Sequence, residues 1–235
     1  GQFCTCPGLV FAVRGPQLDA FTAEVARLTA NVPPGTMLHA AICARYHEGV
    51  AQFQAAPGVR VVAKAAAPAD VERTQAPAFV FATEGAAFLK TPRLHEELFG
   101  PATLIVACES PAALQEVIAA LRGQLTASVH GTPDDLREHA ALVAALTHKA
   151  GRLICNGFPT GVEVCAAMQH GGPYPATTSV HFTSVGTAAV LRFARPVCYQ
   201  NFPQDLLPPE LRNRNVRRIW RLVDGELTKA DVEGE

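Results

Sequence analysis

Cys4 sits in the octapeptide Gly1-Gln2-Phe3-Cys4-Thr5-Cys6-Pro7-Gly8, with a hydroxyl residue beside it and a Pro-Gly turn three residues on. A cysteine attacks carbon through its thiolate, from an exposed position, beside donors that can hold a developing oxyanion. A turn at the edge of a sheet gives that steric access. By residue type alone a cysteine is more often a small buried hydrophobe. Cys43, Cys108 and Cys198 lie within apolar segments and fit that description. Cys4 and Cys6 stand too close together, and too isolated, for a structural zinc site. His39, His47, His95, His130, His139, His148 and His181 show no zinc-like pairing with cysteine, and no metal is expected. His170 precedes Gly171-Gly172, where backbone can approach a neighbour closely. Near neutral pH such a residue serves as a base or a donor, although a pocket-lining imidazole with no proton transfer is the plainer reading. Glu97, on its own, reads as a solvated carboxylate near a helix end.

The elements around these groups alternate. Residues 9–13 form a short apolar run that reads as a buried strand. Pro16 opens a helix with Leu18, Phe21, Val25 and Leu28 on one face, and Pro33-Pro34-Gly35 breaks it. A second helix is expected over about 37–53, closed by Pro57-Gly58, then a strand over 59–63 and an Ala/Pro loop over 65–77. Strands are expected at 79–81, 104–107, 125–129 and 152–155, with helices from Pro111 and over 134–149, the latter capped by Thr132 or Asp134. Alternation of this kind predicts an α/β fold with a mainly parallel twisted sheet flanked by helices. After Asn156 periodicity weakens, helix returns over 186–193, and residues 197–202 alternate like a lone strand that must pair elsewhere. Arg212, Arg214, Arg217, Arg218 and Arg221 around Trp220 read as a solvated tail rather than an anion site.

Composition removes several function classes. With 20 basic and 21 acidic residues the net charge is -1, so nothing draws the chain as a whole toward nucleic acid or an anionic membrane. Seven scattered cysteines without CxxC spacing suit a reducing cytoplasm better than a disulfide scaffold. No apolar run is long enough for a bilayer, and Glu84 breaks the run from Phe79 to Leu89.

Three blocks carry a resemblance. Gly1-Gln2-x-Cys4 resembles the loop around the catalytic cysteine of aldehyde dehydrogenases. Glu97-Leu98-Phe99-Gly100-Pro101 is similar to that family's E-x-F-G-P element. Residues 151–157, Gly-Arg-Leu-Ile-Cys-Asn-Gly, look like its strand ending in Asn near the substrate pocket. The blocks occur in the family's order along nearly the whole chain. Residues 161–165, His170-Gly171-Gly172-Pro173-Tyr174-Pro175-Ala176-Thr177 and 195–200 look like one branch, that of α-ketoglutaric semialdehyde (2,5-dioxopentanoate) dehydrogenases and NADP-using fatty aldehyde dehydrogenases. Most family members carry a P-F-G-G-type stretch at His170–Pro173, and Cys6 stands where the branch often has Asn.

The resemblance implies that Cys4 attacks an aldehyde to give a thiohemiacetal, then a thioester that water hydrolyses. It implies NAD or NADP as cofactor, with Glu97 accepting from the nicotinamide ribose hydroxyls and Phe99 flanking the nicotinamide. Asn156, Phe158, Thr160 and His170 are expected to border the substrate pocket. The favoured substrate is 2,5-dioxopentanoate, with medium-chain aldehydes second. The expected organisation is a cysteine-bearing catalytic domain over 1–195 and an oligomerisation strand with tail over 196–235, in a dimer or tetramer. No G-x-G-x-x-G turn is present. The family's nucleotide-binding half, general-base glutamate and oxyanion Asn precede its cysteine. The chain is therefore expected to be the C-terminal catalytic part of a longer enzyme, inactive alone. A different class stays open, a non-catalytic α/β association module with incidental thiols.

Overall fold

The computed structural model describes residues 2–233, so Gly1 of the cysteine motif, and Gly234 and Glu235 of the tail, lie outside the described residues. The chain forms two compact units, Gly1–Phe193 and Ala194–Glu235.

In chain order the first unit contains β1 (Leu9–Val13), α1 (Pro16–Ala30), β2 (Gly35–Thr36), α2 (Ala40–Ala55), β3 (Arg60–Lys64), β4 (Gln75–Ala76), β5 (Phe79–Glu84) and α3 (Gly85–Lys90). It continues with β6 (Ala102–Cys108), α4 (Pro111–Ala120), β7 (Gln124–Val129), α5 (Pro133–Glu138), α6 (Ala140–Thr147) and β8 (Ala150–Cys155). The main sheet has the order β1-β6-β5-β3. β1, β6 and β5 run parallel, and β3 joins the edge antiparallel through an irregular register between Val61 and Ala63. β7 and β8 form a separate parallel pair. The sheet is thus mainly parallel, as expected, with one antiparallel edge strand.

Side-chain alternation explains the layers. In β5, Phe79 and Phe81 face one side while Val80 and Ala82 face the other; β6 sends Leu104 and Val106 one way and Ile105 the other. The aromatic side packs on Tyr46 and Phe53 of α2, Phe88 of α3, and Val117 and Ile118 of α4. The smaller side packs on Leu18 of α1. Both faces are covered, so a central strand such as β5 reads as a continuous apolar run. Phe81 is fully buried, its ring 5.5 Å from both Phe53 and Phe79; burying a side chain of that size stabilises by about 1.5–3 kcal/mol.

Several boundaries differ from expectation. The second helix starts later because His39 caps it, its Nδ1 accepting from Ile42 N, while Gly35–Thr36 just upstream pairs with Gln75–Ala76 in the loop expected to lack structure. The helix expected over 134–149 breaks at His139 into α5 and α6; Thr132 caps it through a reciprocal box with Asp135. α3 lies inside an apolar run and has no sequence signal of its own. Residues 187–193 form 3-10 turns rather than an α-helix. No helix among the described residues is long and apolar enough to cross a membrane.

In the second unit, residues 197–202 have no ladder partner among the described residues and form no strand, because a strand needs an edge to pair with. β9 (Arg221–Val223) and β10 (Glu226–Thr228) make an unforeseen hairpin. Its turn, Asp224-Gly225, has positive φ at both residues, which matches the twist of the flanking strands. The arginine tail is not wholly solvated, because Arg221 and Arg212 donate to backbone carbonyls within the unit. Asn215 is buried and bridges Ile219 and Lys229.

Candidate active site

The Cys4 loop is held at both ends. Gln2 Oε1 accepts from Leu38 N at 2.9 Å, and Cys6 N donates to Phe3 O at 3.1 Å to close the turn. Thr5 is only 4% exposed and points inward, its hydroxyl donating to Pro159 O at 3.1 Å. Cys4 is left exposed. The loop runs into β1 with Leu104 N donating to Gly8 O at 2.9 Å.

The register sets the second element of the site. Leu9 of β1 pairs with Leu104 of β6. Cys4 and Phe99 each stand five residues upstream of that pair. Both segments therefore enter adjacent parallel strands at the same end of the sheet. The Glu97–Pro101 segment is pinned to α2. A Cβ on Gly49 would fall 2.5 Å from Leu98 Cδ1, and a Cβ on Gly100 would fall 2.2 Å from the Tyr46 ring. Tyr46 is fixed in turn, its hydroxyl 2.7 Å from Pro77 O and 3.2 Å from Pro101 O, and burial raises its pKa. Glu97 is exposed, and its carboxylate accepts no hydrogen bond among the described residues. The protein around it shifts its pKa upward by desolvation.

The third element follows β8. Asn156 has φ 51°, and its amide clamps the chain after β7, accepting from Gly131 N at 2.9 Å and donating to Gly131 O at 2.8 Å. That side chain is committed to the loop. Phe158 is 74% exposed with its ring 5.7 Å from His130, and Thr160 is exposed beside the buried Pro159. The chain then returns so that Gly171 and Gly172 cross the starts of β7 and β8. A Cβ on Gly151 would lie 2.3 Å from Gly171 O, and one on Gly172 would lie 2.4 Å from Gln124 O. No side chain fits that crossing, which is why glycines stand on both sides of it.

This crossing delivers His170. It is 8% exposed; its N donates to Thr183 Oγ1 at 2.8 Å, and its O accepts from Ser184 N and Oγ, each at 3.0 Å. Its Nε2 lies 3.5 Å from Cys4 Sγ, and its Nδ1 is buried with no partner among the described residues. Burial lowers the pKa of His170, and the charge of Arg152 lowers it further, so both favour the neutral imidazole. A neutral imidazole at that distance can take the thiol proton or donate to the thiolate. Because the folded pKa is depressed, His170 adds a stability that is present above its unfolded value near 6.5 and is lost as pH falls toward the folded value. His170→Ala should slow Cys4 alkylation by iodoacetamide about threefold to tenfold at pH 7 and alter its pH dependence. An unchanged pH profile would remove any role for the imidazole at the thiol.

The structure thus brings Cys4, Thr5, Pro159 and His170 together, and sets Phe99 at the same end of the sheet. Gln2 and Arg152 were visible only as motif letters, without roles; the anchors Thr183 and Ser184 carry no sequence signal. Cys43 and Cys108 are buried as expected, but Cys198 is exposed. Among the described residues no group of three or more His, Cys, Asp or Glu side chains could hold a metal ion.

The fold recurs in solved structures. Escherichia coli lactaldehyde dehydrogenase matches with TM-score 0.65 and 20% identity over 82% of this chain and 39% of that one. Bacillus cereus aldehyde dehydrogenase in its NAD+ complex matches with TM-score 0.64 and 19% identity, over 81% of this chain and 38% of that one. Streptococcus pyogenes succinic semialdehyde dehydrogenase, in complex with NADP+, matches with TM-score 0.57 and 18% identity, over 73% and 37%. No protein-family model matches. Sequence relatives are nearer, and with the exposed cysteine loop and this fold they place the chain in the aldehyde dehydrogenase family. Within it, the chain is 48% identical over 227 residues to alpha-ketoglutaric semialdehyde dehydrogenase 2 of Azospirillum brasilense. It is 41% identical over 229 residues to alpha-ketoglutaric semialdehyde dehydrogenase of Acinetobacter baylyi. These alignments cover 96% and 97% of this chain, which spans 43% of the length of each relative.

Proposed function

We propose that this chain supplies the cysteine-bearing part of a cytoplasmic aldehyde dehydrogenase that oxidises 2,5-dioxopentanoate to 2-oxoglutarate, with medium-chain aldehydes as a second class. The carrying observation is an exposed thiol 3.5 Å from a buried imidazole. The thiolate adds to the aldehyde carbon and forms a thiohemiacetal. Loss of hydride from that carbon leaves a thioester on Cys4, and water cleaves it to the carboxylate and the free thiol. His170 holds the thiol proton during addition.

A nicotinamide dinucleotide, NAD or NADP, supplies the hydride acceptor when bound. The residues present suit it. Glu97 has both carboxylate oxygens unoccupied for two ribose hydroxyls, and Phe99 enters the sheet beside the Cys4 segment. Residues 1–195 act as the catalytic domain and 196–235 as the oligomerisation segment, where Val197, Tyr199 and Phe202 are exposed apolar residues suited to pairing with a second copy in a dimer or tetramer. The nucleotide-binding half and the general base belong to the remaining length seen in the relatives.

Treating the 235-residue chain with limiting iodoacetamide should label Cys4 ahead of Cys155 and Cys198, the other exposed thiols, while the chain alone forms no NAD(P)H from aldehyde. Labelling spread evenly over the three thiols, or steady NAD(P)H formation, would count against the proposal.

A further inference from the structure

Granted that Cys4 is the nucleophile, we infer that Arg152 selects for it aldehydes that carry an anionic group a few carbons from the carbonyl, the class of short oxo acids. Arg152 projects from β8. Its Nη2 donates to Pro159 O, and its Nη1 donates to Gly161 O at 3.0 Å and lies 3.9 Å from Met168 Sδ. Pro159 O is the same oxygen that accepts from the Thr5 hydroxyl at 3.1 Å. One carbonyl oxygen therefore links the guanidinium to the residue next to the nucleophile.

Every partner of this cation is neutral. No Asp or Glu forms an ion pair with Arg152 among the described residues, and its Nε is buried without a partner. Backbone carbonyls fix the position of a guanidinium without cancelling its charge. A fixed, uncompensated charge partly withdrawn from water acts over several ångströms with weak screening. After burial, the charge of Arg152 is the second cause that lowers the pKa of His170, whose Nε2 lies 3.5 Å from Cys4 Sγ. The same charge favours an anion at that point. A carboxylate on the substrate gains from it, and a neutral aldehyde of equal length does not.

The test compares two alkylating agents of similar size on the full chain. Iodoacetate is anionic and iodoacetamide neutral, and rates at Cys4 are resolved by peptide mass spectrometry at low ionic strength. The iodoacetate-to-iodoacetamide rate ratio should fall about threefold or more in Arg152→Met, and stay within about twofold of the unmodified chain in Arg152→Lys. A second readout needs no variant to fold. Added KCl should lower the ratio at Cys4 in the unmodified chain but raise it for free N-acetylcysteine, whose own thiolate repels iodoacetate. If Cys4 reacts with iodoacetamide, yet its ratio ignores the Met substitution or follows N-acetylcysteine with salt, Arg152 is only a clamp and the inference is overturned. If neither reagent labels Cys4, the nucleophile assignment itself falls, and this inference with it.

Discussion

Cys4→Ala, in a chain joined to the remaining length of the Azospirillum brasilense relative, is expected to abolish aldehyde oxidation, lowering kcat by about 10⁴-fold or more. The exchange removes the sulfur that carries the acyl group through the thioester, so the loss is not graded. Cys43 and Cys108 are buried, and Cys155 closes β8 three residues beyond Arg152. Cys4→Ser should be nearly as inactive, because a hydroxyl is far less acidic than a thiol and burial makes His170 a weaker base than an ordinary imidazole. The fold should not notice either change. The side chain is exposed, the loop is held through Gln2 and Thr5, and surface substitutions of this kind stay within about 0.5 kcal/mol. NAD(P)H formation, unfolding temperature and intact-protein mass after incubation with aldehyde and NAD(P)+ report the three aspects. An alanine variant that kept even a hundredth of the activity would mean that another group carries the acyl chemistry.

What sequence conveyed, and what it did not, follows from how local each cause is. β5 and β6 were legible because burial on both faces leaves an unbroken apolar run, and α4 because a proline opens it and apolar residues recur on one face. The split between α5 and α6 was not, because alanine and leucine continue the helical pattern across His139. Residues 197–202 alternate as a strand should, yet pairing is a long-range property, and they find no ladder partner among the described residues. The site divides in the same way. Cys4, Glu97 and Phe99 were singled out through ordered motifs. That His170 would reach Cys4 at a sequence separation of 166 depends on two glycine crossings that pattern alone does not reveal. Asn156 shows the opposite case, a motif residue whose side-chain amide turns out to clamp Gly131.

Gly100→Ala should destabilise the chain by about 2–4 kcal/mol, the range for overpacking combined with an unfavourable backbone angle. The new Cβ would stand 2.2 Å from the Tyr46 ring, and φ at this position is +157°. Relief by moving the ring is closed off. Tyr46 is almost fully buried in α2 and its hydroxyl is tied to Pro77 O and Pro101 O. The segment must give instead, and it carries Phe99 and Glu97, which the register sets beside the Cys4 segment. For a chain of this length the destabilisation corresponds to a fall in Tm of roughly 5–15 °C. In the joined enzyme, the dinucleotide KM should rise well before the reactivity of Cys4 changes, because the cysteine loop is anchored separately, through Leu38 and Pro159. Tyr46→Ala alone should also destabilise, by opening a cavity. Added to Gly100→Ala, however, it should restore part of the dinucleotide affinity by removing the collision. Calorimetry on the chain and dinucleotide titration of the joined enzyme separate these effects. An unchanged Tm for Gly100→Ala would show that this segment is not held against α2 in the manner described.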